Sequence, residues 1–353
     1  MEPDALGEGL MKKDGLGAHF PAELPEPVQE FTTLGCFQLG RLRIMKIGVS
    51  LLNFGPEANP TALLRWVRGA EALGYHFVMM SDHVAITPDV QARYPVPYYD
   101  PFVTLAWLAG VTKKVELGTT VTILPYRHPL QMAHMAVNID QLSGGRFIFG
   151  VGVGWAQQEF AALGVPFGRR GAMANEYLTV IKKYWTEDVV SYEGSWVSFR
   201  DVRTGPRPVR SPHPPIWVGG ASENALRRAV RFGNAWHPIR FRMKWLKEEG
   251  LPNLRRIADA EGLPMPPVCP RIILRLTESP LPEQDRIVGQ GTLDQFRSDI
   301  ETLAALGAEY VLLDTYGGQP ETAPHPAKQW EMLELVAARV LDLKTRQDRK
   351  PRA

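Results

Sequence analysis

Cysteine is almost missing from this chain: 353 residues contain two, Cys36 and Cys269. They make neither a CxxC pair nor a disulfide framework, which points to a reducing, cytoplasmic setting. No run of about 18 apolar residues occurs, so a membrane-spanning helix is excluded. The first twenty residues lack an apolar signal core, so no secretory leader is expected. An excess of one charge is lacking as well, since 40 Lys plus Arg stand against 38 Asp plus Glu. Neither nucleic acid nor an anionic membrane is therefore an expected partner. The eight histidines show no HExxH or HxH spacing, and neither cysteine has a partner at ligand spacing, so no metal site is expected. With no GxSxG elbow and no Walker sequence, serine hydrolases and P-loop enzymes have no support.

What the chain does have is 44% hydrophobic residues, enough for a sizeable core. Residues 1–44 mix Gly, Pro and acidic residues without an apolar period, and read as a disordered extension or as sequence upstream of the true start at Met45. At Met45 the pattern switches to MKIGVSLLNF, an apolar run with strand character. From there strands and helices alternate. Strands are predicted at Lys46–Asn53, Phe77–Ser81, Val115–Val121, Arg146–Val151, Ile216–Val218, Ala235–His237, Arg271–Leu276 and Tyr310–Asp314. Helices are predicted at Pro60–Leu73, Tyr99–Val111, Pro129–Leu142, Asn175–Thr186, Ser222–Phe232, Lys244–Ala260, Leu293–Leu306 and Gln329–Leu343. Eight strands each followed by a helix favour a (β/α)8 TIM barrel over residues 45–343, with a doubly wound open sheet as the alternative. Val189–Phe199 alternates at period two around Glu193-Gly194 and reads as an inserted β-hairpin. Thr277–Gly291 is Pro-rich and reads as an irregular loop insertion, and residues 344–353 as a charged, solvated tail.

A barrel builds its site at the carboxyl ends of its strands. Those ends carry Asn53, Ser81-Asp82-His83, Thr119-Thr120-Val121, Gly150-Val151-Gly152-Val153-Gly154-Trp155, Gly219-Gly220-Ala221-Ser222, Trp236-His237, Arg275 and Asp314. Gly219–Ser222 turns a strand into a helix, where paired glycines and the first helical N–H groups suit a phosphate, or where Ser222 is a plain N-cap. The Gly150–Trp155 run has GxGxG spacing rather than a nucleotide fingerprint. It reads either as a smooth wall for a flat ring or as a crowded barrel corner. His83 is a candidate for exchanging a proton near neutral pH, or a structural histidine bonded to a loop carbonyl. His237 carries the same two readings.

These segments together resemble the bacterial-luciferase-like flavin/deazaflavin oxidoreductase superfamily: MKIGVSLLNFG, VMMSDHV, LGTTVTILPYRHPLQMA, LSGGRFIFGVGVGW, PPIWVGGASENALRRAVRFGNAWHP and GTLDQF. Within it the chain is most similar to the F420-dependent oxidoreductase branch. The resemblance covers residues 45 to 343 and implies a cytoplasmic, dimeric TIM-barrel oxidoreductase that moves a hydride between F420 and a small organic substrate. An FMNH2-dependent monooxygenase and a non-catalytic flavin-binding barrel are the alternatives. It further implies that Asp82 and His83 face the cofactor ring, with His83 catalytic, and that a non-prolyl cis peptide lies at Thr120-Val121. Gly152, Val153 and Gly154 match the backbone wall, and Gly219, Gly220, Ala221 and Ser222 match the phosphate loop. Trp155, Trp236 and His237 are expected in the substrate pocket, closed by Tyr94, Tyr98 and Tyr99. Arg127, Arg169 and Arg170 are either a groove for the F420 polyglutamate tail or solvated charges. Two departures stand out. Trp155 occupies the place where some F420-dependent dehydrogenases carry a glutamate, and Glu159, one helical turn on, is not expected simply to replace it. Gly233-Asn234-Ala235-Trp236 lacks the carboxylate of the family's Gly-Asp-Gly-Trp.

Overall fold

A computed structural model of the chain describes residues 45–343. The expected extension 1–44, Cys36 within it, and the tail 344–353 lie outside the described residues. Eight parallel strands form the barrel: β1 (Lys46–Ser50), β2 (Phe77–Met80), β3 (Glu116–Thr119), β4 (Phe147–Gly152), β5 (Ile216–Gly219), β6 (Ala235–His237), β7 (Arg271–Ile273) and β8 (Tyr310–Asp314). Neighbours pair in order from β1 to β6, and β7 pairs with β8 and β8 with β1. Between β6 and β7 the ring is joined by single bridges, Trp236 to Val268 and Ile239 to Arg271. This is the (β/α)8 arrangement that the alternation predicts.

The strands read as near-continuous apolar runs because both faces are covered. Phe77, Met79, Ile148, Trp217, Ala235, Cys269 and Leu312 form a cluster separate from the main one and fill the barrel interior. Alternate residues such as Val78, Met80, Phe147 and Phe149 join the large cluster against the helices. Burial pushes the Cys269 thiol well up, so it packs as an inert group. At the amino end of the strands Lys46 donates to Glu116 and Tyr310, each at 3.0 Å, and closes the interior with a polar plug.

The outer ring comprises α1 (Pro60–Leu73), α2 (Pro101–Val111), α3 (Pro129–Ser143), α4 (Arg170–Thr186), α5 (Glu223–Phe232), α6 (Leu251–Glu261), α7 (Leu293–Ala305) and α8 (Pro326–Val336). Local chemistry sets their ends. Asn59 caps α1 by accepting from Ala62 N, and Gly74 ends it in a left-handed turn. Thr292 and Gln295 form a capping box at α7. Helices α4 and α8 begin earlier than expected, at Arg170 and Pro326. The α8 start follows from His325, whose ring caps Ala327 N.

The expected third strand is interrupted: β3 stops at Thr119, the Thr120-Val121 peptide is cis, and pairing resumes at Thr122–Ile123 against β4. The predicted hairpin is present as Val189–Glu193 paired with Ser198–Arg203, and the Glu176 carboxylate accepts from the turn amides of Ser195, Trp196 and Val197. In the loop insertion Arg275–Leu276 pairs with Gln290–Gly291. Arg286 anchors the segment through a buried ion pair with Asp299 at 2.6 Å. Among the described residues no helix is long and apolar enough to cross a membrane, and no group of three His, Cys, Asp or Glu is placed to hold a metal.

Candidate functional site

Directly after β2 the chain turns so that Asp82 and His83 are both buried under the carboxyl rim. Asp82 is held by two groups through three hydrogen bonds. Ile123 N donates to it at 2.9 Å, and Arg127 makes a two-pronged contact at 2.7 and 2.9 Å. The same guanidinium reaches Asp100 at 2.8 Å, the residue that caps α2. Asp82 therefore ties the β2 end to the segment after the cis peptide. Arg127, offered as a tail-binding cation, is committed to two carboxylates and is not available for that role.

His83 meets a residue that sequence reasoning set aside. Glu159 sits on the short helix Gln157–Ala162 and is completely buried, with its Oε2 2.6 Å from His83 Nδ1. Its other oxygen accepts from the amides of Val84 at 2.6 Å and Ala85 at 3.0 Å, while the Tyr126 hydroxyl donates to Oε2 at 2.8 Å. Burial alone would raise the Glu159 carboxyl. The His83 ring, the Val84 amide and Tyr126 outweigh it and hold the group below its ordinary value. Burial and the Glu159 charge push the Tyr126 hydroxyl up, so it remains a donor. A carboxylate accepts only, so His83 Nδ1 donates to Glu159 and Nε2 is the ring's other nitrogen. The ring lies among Tyr94, Tyr98 and Trp155, with centroids 5.2, 5.6 and 5.8 Å away. Tyr98 is fixed by its hydroxyl on Ser81 Oγ at 2.7 Å, and Asn53 holds both the Ser81 and Tyr99 carbonyls.

A second buried network supports the rim from within the barrel. Arg271 donates to Asp314 at 2.8 and 3.1 Å and to the Thr120 carbonyl at 3.1 Å. His237 accepts from or donates to Thr120 Oγ1 at 2.9 Å through Nε2, and its Nδ1 faces the Cys269 carbonyl. A carbonyl accepts only, so Nδ1 carries the proton and Nε2 accepts from Thr120. Burial pushes this imidazole down to about 4, which keeps it neutral.

Two of the three expected pocket residues, Trp236 and His237, are fully buried. Along β6 alternate side chains face opposite sides. Trp236 points to the helix layer, where it is fully buried near Trp245, and its Nε1 donates to Gly220 O at 2.8 Å. It braces the glycine loop. His237 does face inward, but it is fully buried beneath Thr120 and reaches no open space. Trp155 alone of the three is open, 38% exposed, with the Arg93 guanidinium 4.7 Å from its ring centre.

The glycine run behaves first as a crowded corner. A Cβ on Gly152 would come 2.5 Å from the Val121 side chain, and one on Gly154 2.8 Å from both Ile123 and Phe160. Val153 between them is half-buried. Val121 itself is half-buried and stands over Gly152 and Gly219, so the wall beside the rim is glycine backbone faced by one valine. At the start of α5, Gly220, Ala221 and Ser222 are exposed, Gly220 has φ +106°, and Ser222 caps Ala225 N. Arg170 is spent on the Phe167 and Gly154 carbonyls, and Arg169 is exposed.

Besides Glu159 and Tyr126, sequence reasoning missed Arg271, Arg93 and Arg240. All three arginines border a cavity of about 180 Å³ at the rim with Tyr94, Trp155, Ile239, Ile273 and Asp314.

A family model described as luciferase-like monooxygenase matches residues 45–280. An uncharacterised protein of Mycobacterium tuberculosis is 32% identical over 206 residues, covering 54% of this chain and 71% of that one. Among solved structures, the monooxygenase RslO1 from Streptomyces bottropensis superposes with a TM-score of 0.69 at 23% identity, covering 84% of this chain and 99% of that one. The coenzyme F420 dependent tetrahydromethanopterin reductase from Methanopyrus kandleri does so with a TM-score of 0.67 at 20% identity and the same coverage.

Proposed function

The chain belongs to the luciferase-like monooxygenase family, and on that premise we propose that it is an oxidoreductase that transfers a hydride between coenzyme F420 and a small organic substrate. The observation that carries this reading is His83, held on Nδ1 by the buried Glu159 and walled by three aromatic rings at the carboxyl end of β2. The surrounding residues fit a flat ring with a phosphate arm. The Val121 face over Gly152 and Gly219 offers an apolar wall. Next to it the exposed Gly220-Ala221-Ser222 turn leads into a ten-residue helix, whose first N–H groups suit an anion. Glu223 in that first turn is drawn back by Arg227 at 2.9 Å.

When bound, the reduced cofactor supplies the hydride. His83 gives or takes the accompanying proton at Nε2, while Glu159 keeps Nδ1 protonated and the ring in one orientation. Asp82 and Arg127 hold Ile123, and through it the segment following the cis peptide. Tyr94, Tyr98 and Trp155 keep water from the exchanging atom.

An FMN-dependent monooxygenase is the second reading. The observation favouring it is the commitment of Arg127 to Asp82 and Asp100, which removes one cation from any groove for a polyanionic tail.

Titrations of the protein with F420 and with FMN, each at low and high salt, test the choice. Tight, salt-sensitive F420 binding with weak FMN binding is expected, and the reverse preference overturns F420. On the preferred cofactor, His83→Ala is expected to keep binding and to lower turnover by about 10²–10⁴-fold. Wild-type turnover in that variant removes the proton-transfer role.

A further inference from the structure

The rim cavity of about 180 Å³ has a lining that is unusual in charge. Arg93, Arg240 and Arg271 face one acid, Asp314. That acid is already engaged, by two donors from Arg271 on one oxygen and by the Tyr316 amide on the other at 3.0 Å. Among the described residues neither Arg93 nor Arg240 has an ion-pair partner. The cavity mouth thus presents two uncompensated guanidinium groups over an interior whose own charges cancel.

Both arginines are held where they are. Arg93 stacks on the Trp155 ring at 4.7 Å, and its backbone carbonyl accepts from the Tyr316 hydroxyl at 2.6 Å. Arg240 sits in the left-handed backbone region at φ +51°, uncommon for a residue with a side chain. Its Nη2 lies against Gly318 so closely that a Cβ there would come within 2.0 Å, with the Tyr94 hydroxyl 3.6 Å from the same point. Only glycine at 318 leaves that place for the guanidinium. The walls between the arginines are the rings of Tyr94 and Trp155 and the side chains of Ile239 and Ile273.

We infer that this cavity binds a small planar carboxylate, an aromatic acid, as the substrate of the reaction proposed above. The inference rests on that reading for the word substrate and on the cavity alone for the ligand class. Guanidinium forks match the planar, two-oxygen geometry of a carboxylate. Tyr94 and Trp155 give the cavity an aromatic lining, and the volume is below the roughly 300–1,000 Å³ of sites for larger ligands. A carboxylate also ends the F420 tail, so the test must separate the two sources.

The experiment is calorimetric titration of the full-length protein with benzoate and with benzamide, its uncharged counterpart. Benzoate is expected to bind at least tenfold more tightly, with an advantage that shrinks as salt rises. Arg240→Gln is expected to weaken benzoate about tenfold and leave benzamide unchanged. Gly318→Ala, which displaces the same guanidinium, is expected to act in the same direction. Circular dichroism and F420 and FMN titrations on each variant report folding and the cofactor site. Equal affinity for the two ligands, no benzoate binding, or full benzoate affinity in a folded Arg240→Gln variant each overturns the inference. So does a variant that loses F420 but keeps benzoate, because the arginine would then serve the cofactor tail. Absence of cofactor binding in the wild type would defeat the proposed function while leaving the benzoate result to decide the ligand class.

Discussion

Replacing Glu159 by glutamine changes one polar atom in a fully buried side chain and tests whether His83 depends on it. The amide can still present its oxygen to the Val84 and Ala85 amides, so the local turn is kept. Its NH2 group then faces two donors, His83 Nδ1–H and the Tyr126 hydroxyl, where the carboxylate accepted from both. A hydrogen bond to a charged group contributes about 1.5–3 kcal/mol, and each stranded buried donor costs about 1–3 kcal/mol. Tyr126 can turn its hydroxyl to accept, so one donor rather than two is stranded. The expected loss of stability is about 2.5–6 kcal/mol, one lost charge-assisted bond plus one stranded donor, read as a lower denaturation midpoint at unchanged slope.

The effect on turnover is separate from this. With its anchor gone, the imidazole no longer has its proton fixed on Nδ1, and the fraction presenting a competent Nε2 falls. A turnover loss of about 10²-fold is expected, with little change in cofactor affinity, because Glu159 touches only His83, Tyr126 and loop amides. The pH dependence has a definite sign. Glu159 is held below its ordinary value of 4.5 in the folded chain, so its contribution is present above that pH and is lost as pH falls through the folded value. The wild type therefore loses more stability on acidification below pH 4.5 than Glu159→Gln does. Denaturant titrations across that range and single-turnover kinetics measure the two effects. Wild-type turnover in a folded Glu159→Gln variant refutes the argument that Glu159 positions His83.

His237, fully buried and pushed from 6.5 down to about 4, should cost stability as pH falls from 6.5 to 4, by about 3 kcal/mol in all. His237→Gln keeps a donor for the Cys269 carbonyl and an acceptor for Thr120, and should remove that slope. An unchanged slope in the variant would show that other groups cause it. Trp236→Phe deletes the indole donor to Gly220 O while filling most of the buried volume. Cofactor affinity should fall about three- to tenfold with kcat kept, since about 1.4 kcal/mol is a factor of ten. Unaltered affinity by fluorescence titration would remove the glycine loop from the cofactor site.

The barrel was legible because its signals repeat. Each strand is an apolar run with helical periodicity after it, and Gly74 or the Thr292–Gln295 box marks an end by local chemistry alone. The site was legible only as far as position along the chain determines it. Asp82 and His83 end a strand, so they had to reach the rim. Glu159 carries no such signal, because it lies in a six-residue helix after a loop, and only the closure of the barrel brings it 76 positions back to His83. Period two also allowed opposite faces for Trp236 and His237. Which face looks inward depended on register with β5, where Trp236 pairs with Val218 and His237 with Gly219. Arg271 was overlooked because Arg275 falls at the end of the predicted seventh strand. The observed strand stops at Ile273, and so brings Arg271, two residues earlier, against Asp314 and Thr120. Glu159 and Arg271 share one feature: each is charged and buried, a condition a sequence does not announce. Each is tolerable only with a partner. The partners of Glu159 and Arg271 follow neighbouring strands, His83 after β2 and Thr120 after β3. The Thr120 amide donates to the carbonyl of Met80, the last residue of β2, at 2.6 Å, so the two networks are joined through the ends of β2 and β3. This is why the double variant Glu159→Gln with His237→Gln should lose more than the sum of the singles only if the rim segment moves as one piece.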